Sequence, residues 1–172
     1  MKASIAFLVS MVSCISVVQA QDCETRSSDL GNFARFPIGL HLKGLPKGVK
    51  REPNCTVYRK YHTFDCGFTD HDGSSFIASG HGIVRVERRL QKSSRLPVGY
   101  PLKPGMSADD VTKVLSIINP TITVRKFHTD QGDFLMTPEC FKNRYGAYYL
   151  SVGFNAAGEL NGLVAAFDTP EN

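Results

Sequence analysis

Apolar and polar residues alternate through much of this chain, and the alternation predicts strands more often than helices. Between Tyr145 and Phe154, Tyr148, Leu150, Val152 and Phe154 are separated by Tyr149, Ser151 and Gly153. This is the pattern of a half-buried strand, with the first set facing a core and Tyr149 and Ser151 facing outward. Gly82 to Arg88 reads the same way, with Val84 and Val86 inward and Arg85 and Glu87 outward. Further strands are predicted at Thr56 to Thr63, Phe64 to Thr69, Ser75 to Ser79, Ile122 to Thr129 and Glu159 to Phe167. Asp70-His71-Asp72-Gly73 and Ala156-Ala157-Gly158 have the composition of hairpin turns. One segment keeps helical spacing. Ser107 and Asp110 form a capping box, Met106 and Val111 stand at staple positions, and Val111, Val114, Leu115 and Ile118 share a face before Asn119-Pro120 ends it. The corresponding stretch of the first half carries Gly39, Gly44, Pro46 and Gly48, so a helix there is short and broken.

A near-repeat joins the two halves. Val57-Tyr58-Arg59-Lys60-Tyr61-His62-Thr63 returns as Thr123-Val124-Arg125-Lys126-Phe127-His128-Thr129. Each copy is preceded by an aromatic-Pro-aliphatic step (Phe36-Pro37-Ile38, Tyr100-Pro101-Leu102) and followed by a Gly-aliphatic-Val strand (Gly82-Ile83-Val84, Gly162-Leu163-Val164). Conserved order points to a tandem duplication of one αβ unit. The expected fold class is α+β: a tandem of two units, each a short helical segment packed on an antiparallel sheet. The expected divisions are a signal peptide at 1–20, an N-terminal extension at 21–35 wrapping onto the first unit through Cys23, a first unit at 36–90, a linker at 91–99 and a second unit at 100–172. The flanking motifs lie farther apart in the second half, which places an insertion around Asp133 to Gly146 that holds Cys140.

Lys2, an apolar run from Ala3 to Val18 and a small-residue step at Val18-Gln19-Ala20 predict a secretory signal peptide cleaved after Ala20. The expected location is the periplasm or the exterior. Met11-Val12-Ser13-Cys14 resembles a bacterial lipobox and defines the alternative, a lipoprotein anchored at Cys14. No later stretch approaches the roughly 20 apolar residues of a membrane span. The net charge of +4, reduced by one when Lys2 leaves, is too mild to imply nucleic acid. Cys23, Cys55, Cys66 and Cys140 remain after cleavage and predict two disulfides with three possible connectivities. A Cys55–Cys66 pair requires the chain to fold back between them, because an extended strand of that length separates its ends by roughly 30 Å and a disulfide needs Cα atoms within about 7 Å. No CxxC is present and the histidines lack ligand spacing, so no metal or other cofactor is expected.

Tyr100 through Val111, followed by a helix and by Val152-Gly153-Phe154-Asn155-Ala156-Ala157-Gly158-Glu159-Leu160, resembles the unit shared by BamE-type outer-membrane proteins and β-lactamase inhibitory protein (BLIP-like). In that superfamily a Gly-Met-Ser/Thr helix start precedes an antiparallel sheet with a Phe-Asp/Asn-x-x-Gly hairpin. The resemblance implies a duplicated exported protein whose concave sheet grips an enzyme, as inhibitors and periplasmic immunity proteins do. The alternative it implies is an outer-membrane assembly or envelope structural protein. The first unit has Gly44-Leu45-Pro46 where the family's helix should start.

No nucleophile elbow, P-loop, dinucleotide fingerprint or zinc-protease helix occurs in the sequence. His62 and His128 recur with their strands, and a residue duplicated in both halves reads more simply as a strand histidine than as a catalyst. The expected role is therefore non-enzymatic: binding and inhibiting a secreted or periplasmic protein, an enzyme or toxin. The repeated strand leaves its parity open. If Tyr61 and Phe127 are buried, Lys60, His62, Lys126 and His128 line the open face; Arg59 of the same strand is a further partner-binding candidate. Arg85, Glu87, Tyr149 and Ser151 join them by alternation, and Asp70, His71 and Asp72 form a hairpin able to plug a cleft.

Overall fold

The computed structural model describes residues 24–53, 55–58, 63–80, 82–130 and 132–167. The leader, Cys14, Cys23, Arg59, Lys60 and His62 lie outside them. Among the described residues there are eleven strands and one helix: β1 (Arg26–Ser27), β2 (Lys50–Arg51), β3 (Thr56–Tyr58), β4 (Thr63–Thr69), β5 (Ser74–Ser79), β6 (Gly82–Arg89), α1 (Ala108–Ile118), β7 (Arg125–Thr129), β8 (Gly132–Met136), β9 (Phe141–Asn143), β10 (Gly146–Phe154) and β11 (Leu160–Ala166).

The strands form two antiparallel meanders placed back to back. In the first, β3 pairs with β4, β4 with β5 and β5 with β6. In the second, β7 pairs with β8, β8 with β10 and β10 with β11. The last strands of the two meanders, β6 and β11, pair antiparallel from Arg85↔Ala166 to Arg89↔Gly162 and fuse both into one sheet. The turn Asp70–Gly73 joins β4 to β5, whereas the longer connection between β8 and β10 holds β9 and Cys140. β9 lies on the same edge of β10 as β8, and β1 adds to it in parallel through Arg26↔Phe141. The start of the N-terminal segment thus adds a strand to the second half, while its later residues Phe33 and Arg35 reach Arg88 and Asp70 of the first.

This arrangement overturns the expected α+β tandem of two helix-on-sheet units. The protein is mostly sheet, with a single helix, of 11 residues, among the described residues. That helix starts as its sequence demands: Ser107 Oγ accepts from Asp110 N–H at 3.2 Å and donates to the Asp110 carboxylate at 2.8 Å. Its Val111 and Leu115 are buried. In the first half, where glycines and Pro46 interrupt any helix, coil covers the sheet instead. Leu30, Phe33, Phe36 and Ile38 of that coil are buried in one cluster with Phe68, Phe76, Val86, Leu150 and Val152. Side chains rising from the sheet and the linker fasten it. Tyr148 Oη donates to Ser28 O and accepts from Gly31 N–H, both at 2.9 Å, Tyr100 Oη donates to Leu30 O at 2.7 Å, and Arg88 Nη1 donates to Phe33 O at 2.7 Å. Burial pushes the Tyr148 phenol up to about 12 and the Tyr100 phenol well above its usual value.

The two copies of the repeat occupy the opening strand of each meander, yet their backbones differ. The second copy runs along β7, whereas the first starts in β3 and ends in β4, where Tyr58 and Thr63 face each other across an antiparallel ladder. The predicted continuous strand from Thr56 to Thr63 is therefore divided. This reversal brings Cys55 beside Cys66 in a disulfide, meeting the fold-back condition. Cys140 is disulfide-bonded as well. No helix among the described residues is long and apolar enough to cross a membrane.

Candidate functional site

One face of the sheet carries the core, and the other is open. On β10 the alternation holds as predicted: Tyr148, Leu150, Val152 and Phe154 are buried, while Tyr149 and Ser151 are only partly covered on the opposite face. On β6, Val86 is buried and Arg85 and Glu87 point to the open face, but Val84 is not the inward residue expected. A register shift opposite Ile77/Ala78 inserts Val84 as a bulge, and Ile83 takes the core position.

Register partners share a face, so the open surface resolves into three rows across the strands. The first runs Ile77, Arg85, Ala166, Tyr149. The second runs Ser75, Glu87, Val164, Ser151, Met136, Arg125. The third runs Arg89, Gly162, Gly153, Phe134, Phe127. Of these rows, Arg85, Tyr149, Glu87, Val164, Ser151, Met136, Arg89, Gly162, Gly153 and Phe134 line a groove of about 790 Å³, within the range of pockets that bury a ligand or an inserted loop. Beside it on the same face, Ile77 is 47% and Phe127 39% exposed, and Phe127 stacks on the lining residue Phe134 with ring centroids 5.7 Å apart.

The charges in and around the groove are unbalanced. Arg85 pairs with Glu87 at 3.3 Å. Asp133, at the rim, is bound by Lys126 at 3.3 Å and by His128, and their hydrogen bonds, His128's first, hold its carboxyl below the usual range. Both acids of the groove lining are thereby engaged, while Arg89 and Arg125 have no ion-pair partner among the described residues. Arg88, next in the chain, is spent structurally: it is 9% exposed and also holds Asp72 at 3.1 Å and Arg95 O at 3.1 Å.

Of the residues singled out from sequence, Arg85, Glu87, Tyr149 and Ser151 come together in this groove. Lys126 and His128 do not lie on the open face. They share the face of Leu135, which is buried against Val152, and Phe127 is the open-face residue of that strand. The Asp70–Gly73 turn is a fixed corner. The Asp70 side chain has no exposed surface, and its Oδ1 accepts from His71 N–H at 2.9 Å and from Arg35 at 3.4 Å. Burial pushes its carboxyl up, but hydrogen bonds from His71 and the charges of His71 and Arg35 outweigh it and leave it below the usual value. Asp72 is drawn to Arg88, and His71 alone of the three points to solvent.

Arg89, Arg125, Phe127, Phe134 and the glycine pair were not assigned to the site from sequence. The signal for Arg125 and Phe127 was the parity of the repeated strand, settled only by the cross-strand register that puts Phe127 opposite Phe134. Among the described residues no group of three or more His, Cys, Asp or Glu is placed to hold a metal ion. Compared with protein-family models, curated proteins and solved structures, the chain matches none.

Proposed function

We propose that this chain is an exported inhibitor that binds and occludes a partner enzyme, specifically an immunity protein neutralising an antibacterial toxin, with the open sheet face as its contact surface. The groove carries the reading. A folded sheet has left Tyr149, Phe127, Phe134, Ile77 and three arginines accessible on one face, and aromatic and Arg side chains are the residues that dominate binding energy at interfaces. A contact of standard size covers roughly 800 Å² per partner, an extent suited to a sheet face rather than to a single cleft. The Cys55–Cys66 disulfide accords with an oxidising compartment.

The test is retention of a stoichiometric enzyme from envelope and culture fractions by the tagged chain, followed by an activity assay. Activity should fall on binding, and Arg85→Glu combined with Tyr149→Ala should restore it with thermal unfolding unchanged. Retention of outer-membrane assembly components alone would overturn this reading in favour of a BamE-type envelope role.

A further inference from the structure

The floor of the groove is bare at one place, where Gly153 of β10 faces Gly162 of β11. Glycine in a strand interior weakens it and marks a bulge, a tight bend or a close approach by another chain. The fold itself does not demand either glycine. Neither is among the residues with positive φ. A Cβ built on Gly153 would meet nothing closer than Asn161 Oδ1 at 3.5 Å, and one on Gly162 nothing closer than 3.9 Å, which are ordinary contacts. The neighbouring bulge falls on Asn161, the residue left without a partner between Gly153↔Gly162 and Phe154↔Leu160. The missing side chains leave the space over the floor empty. At its two ends stand Arg89, without an ion-pair partner among the described residues, and Phe134 stacked on Phe127, separated by three strand spacings, about 14 Å.

We infer that this floor is a slot for an acidic loop of the partner protein: its backbone crosses Gly153 and Gly162, a carboxylate pairs with Arg89, and an apolar side chain rests on Phe134. The inference deepens the inhibitor reading and rests on it. Charge complementarity selects the occupant. Glu87 and Asp133 are already engaged by Arg85, Lys126 and His128, so an incoming carboxylate meets uncompensated Arg89, while a basic loop finds no free acid among the described lining residues. Backbone can approach the sheet this closely only where no Cβ projects.

A library of disulfide-closed peptide loops selected on the immobilised full chain tests the slot, with affinities then compared on Gly153→Val/Gly162→Val, on the milder Gly153→Ala/Gly162→Ala, and on Arg89→Glu. Valine suits a strand better than glycine, so the first variant should melt no lower than the parent while closing the slot; the alanine pair and Arg89→Glu serve if valine perturbs folding. The expected result is enrichment of loops with Asp or Glu beside an aromatic or aliphatic residue, binding the parent at least about tenfold tighter than the variants. No enrichment, enrichment without an acidic bias, or equal binding to the variants overturns the slot. If the glycine and Arg89 variants still inhibit the captured enzyme fully while Arg85→Glu/Tyr149→Ala does not, the slot is wrong and the inhibitor reading stands. If neither set affects inhibition, both fall.

Discussion

Replacing Tyr148 with Phe removes one oxygen and leaves the buried ring in place, so it isolates the bond that fastens the N-terminal coil to the sheet. The hydroxyl has two partners, Ser28 O and Gly31 N–H, each at 2.9 Å. Without it both backbone groups stay covered and unpaired, at about 1–3 kcal/mol each where water cannot reach them. Ser28 lies nearer solvent than Gly31, so its carbonyl regains water, and a net loss of about 2–3 kcal/mol follows. The same hydroxyl makes stability fall with alkaline pH. Its pKa in the folded protein, raised by burial from the ordinary 10.0 to about 12, means the folded state holds the proton more tightly. Its contribution is complete below pH 10 and is lost between pH 10 and 12, with an upper scale of about 2.7 kcal/mol for two units. Urea unfolding followed by circular dichroism at pH 7, and again at pH 10.5 and 11, measures both effects. Tyr148→Phe should be less stable at pH 7 and should lose less between pH 7 and 11 than the parent. A variant within about 0.5 kcal/mol of the parent at pH 7, with an unchanged alkaline slope, would refute the assignment of Tyr148 as the anchor.

Three other outcomes are expected. Non-reducing peptide mapping should recover Cys55 linked to Cys66, and replacing both with Ser should cost about 2–3 kcal/mol in chemical unfolding, the scale for a loop this short. Ser107→Ala, which removes the cap of the only described helix, should cost about 1 kcal/mol, with Ser107→Asp close to the parent. Asp70 titrates below its ordinary value of 3.8, so its contribution is present above that value and disappears as pH falls through the lowered pKa. Acid unfolding of Asp70→Asn monitored by fluorescence should therefore show a shallower dependence on pH below 4 than the parent, and an identical profile would count against the buried Arg35–Asp70 contact.

Much of the strand order was legible because alternation and turn chemistry are local. The Asp70–Gly73 turn, the parity of Tyr148 to Phe154 and the Ser107–Asp110 box depend on near neighbours in sequence, and each is found where its pattern put it. The order of motifs suggested a tandem of two helix-on-sheet units, whereas the chain forms two meanders within one sheet, the second interrupted by β9, with a single helix among the described residues. What failed depended on distant partners. A second helix was expected because the first half was assumed to cover its sheet as the second does, whereas Leu30, Phe33, Phe36 and Ile38 cover it from irregular backbone held by Tyr148, Tyr100 and Arg88. β8 was hidden inside the expected insertion, since Phe134-Leu135-Met136 is too short a run to announce a strand without β7 and β10 on either side. Half of the groove was foreseen through Arg85, Glu87, Tyr149 and Ser151. The other half required knowing which face of the repeated strand met Phe134.

The seam between the halves sets the order in which the protein can be completed. β6 ends at Arg89 and its partner β11 starts at Leu160, about seventy residues later. Until that last strand arrives, β6 is a bare edge with its backbone donors and acceptors unpaired, and the groove has no floor. The first meander can assemble early around its own disulfide, yet it waits as an unfinished sheet of the kind that attracts foreign strands. The open face is therefore complete only once β11 pairs with both β6 and β10. The same pairing that covers the edge of β6 thus closes the floor of the groove.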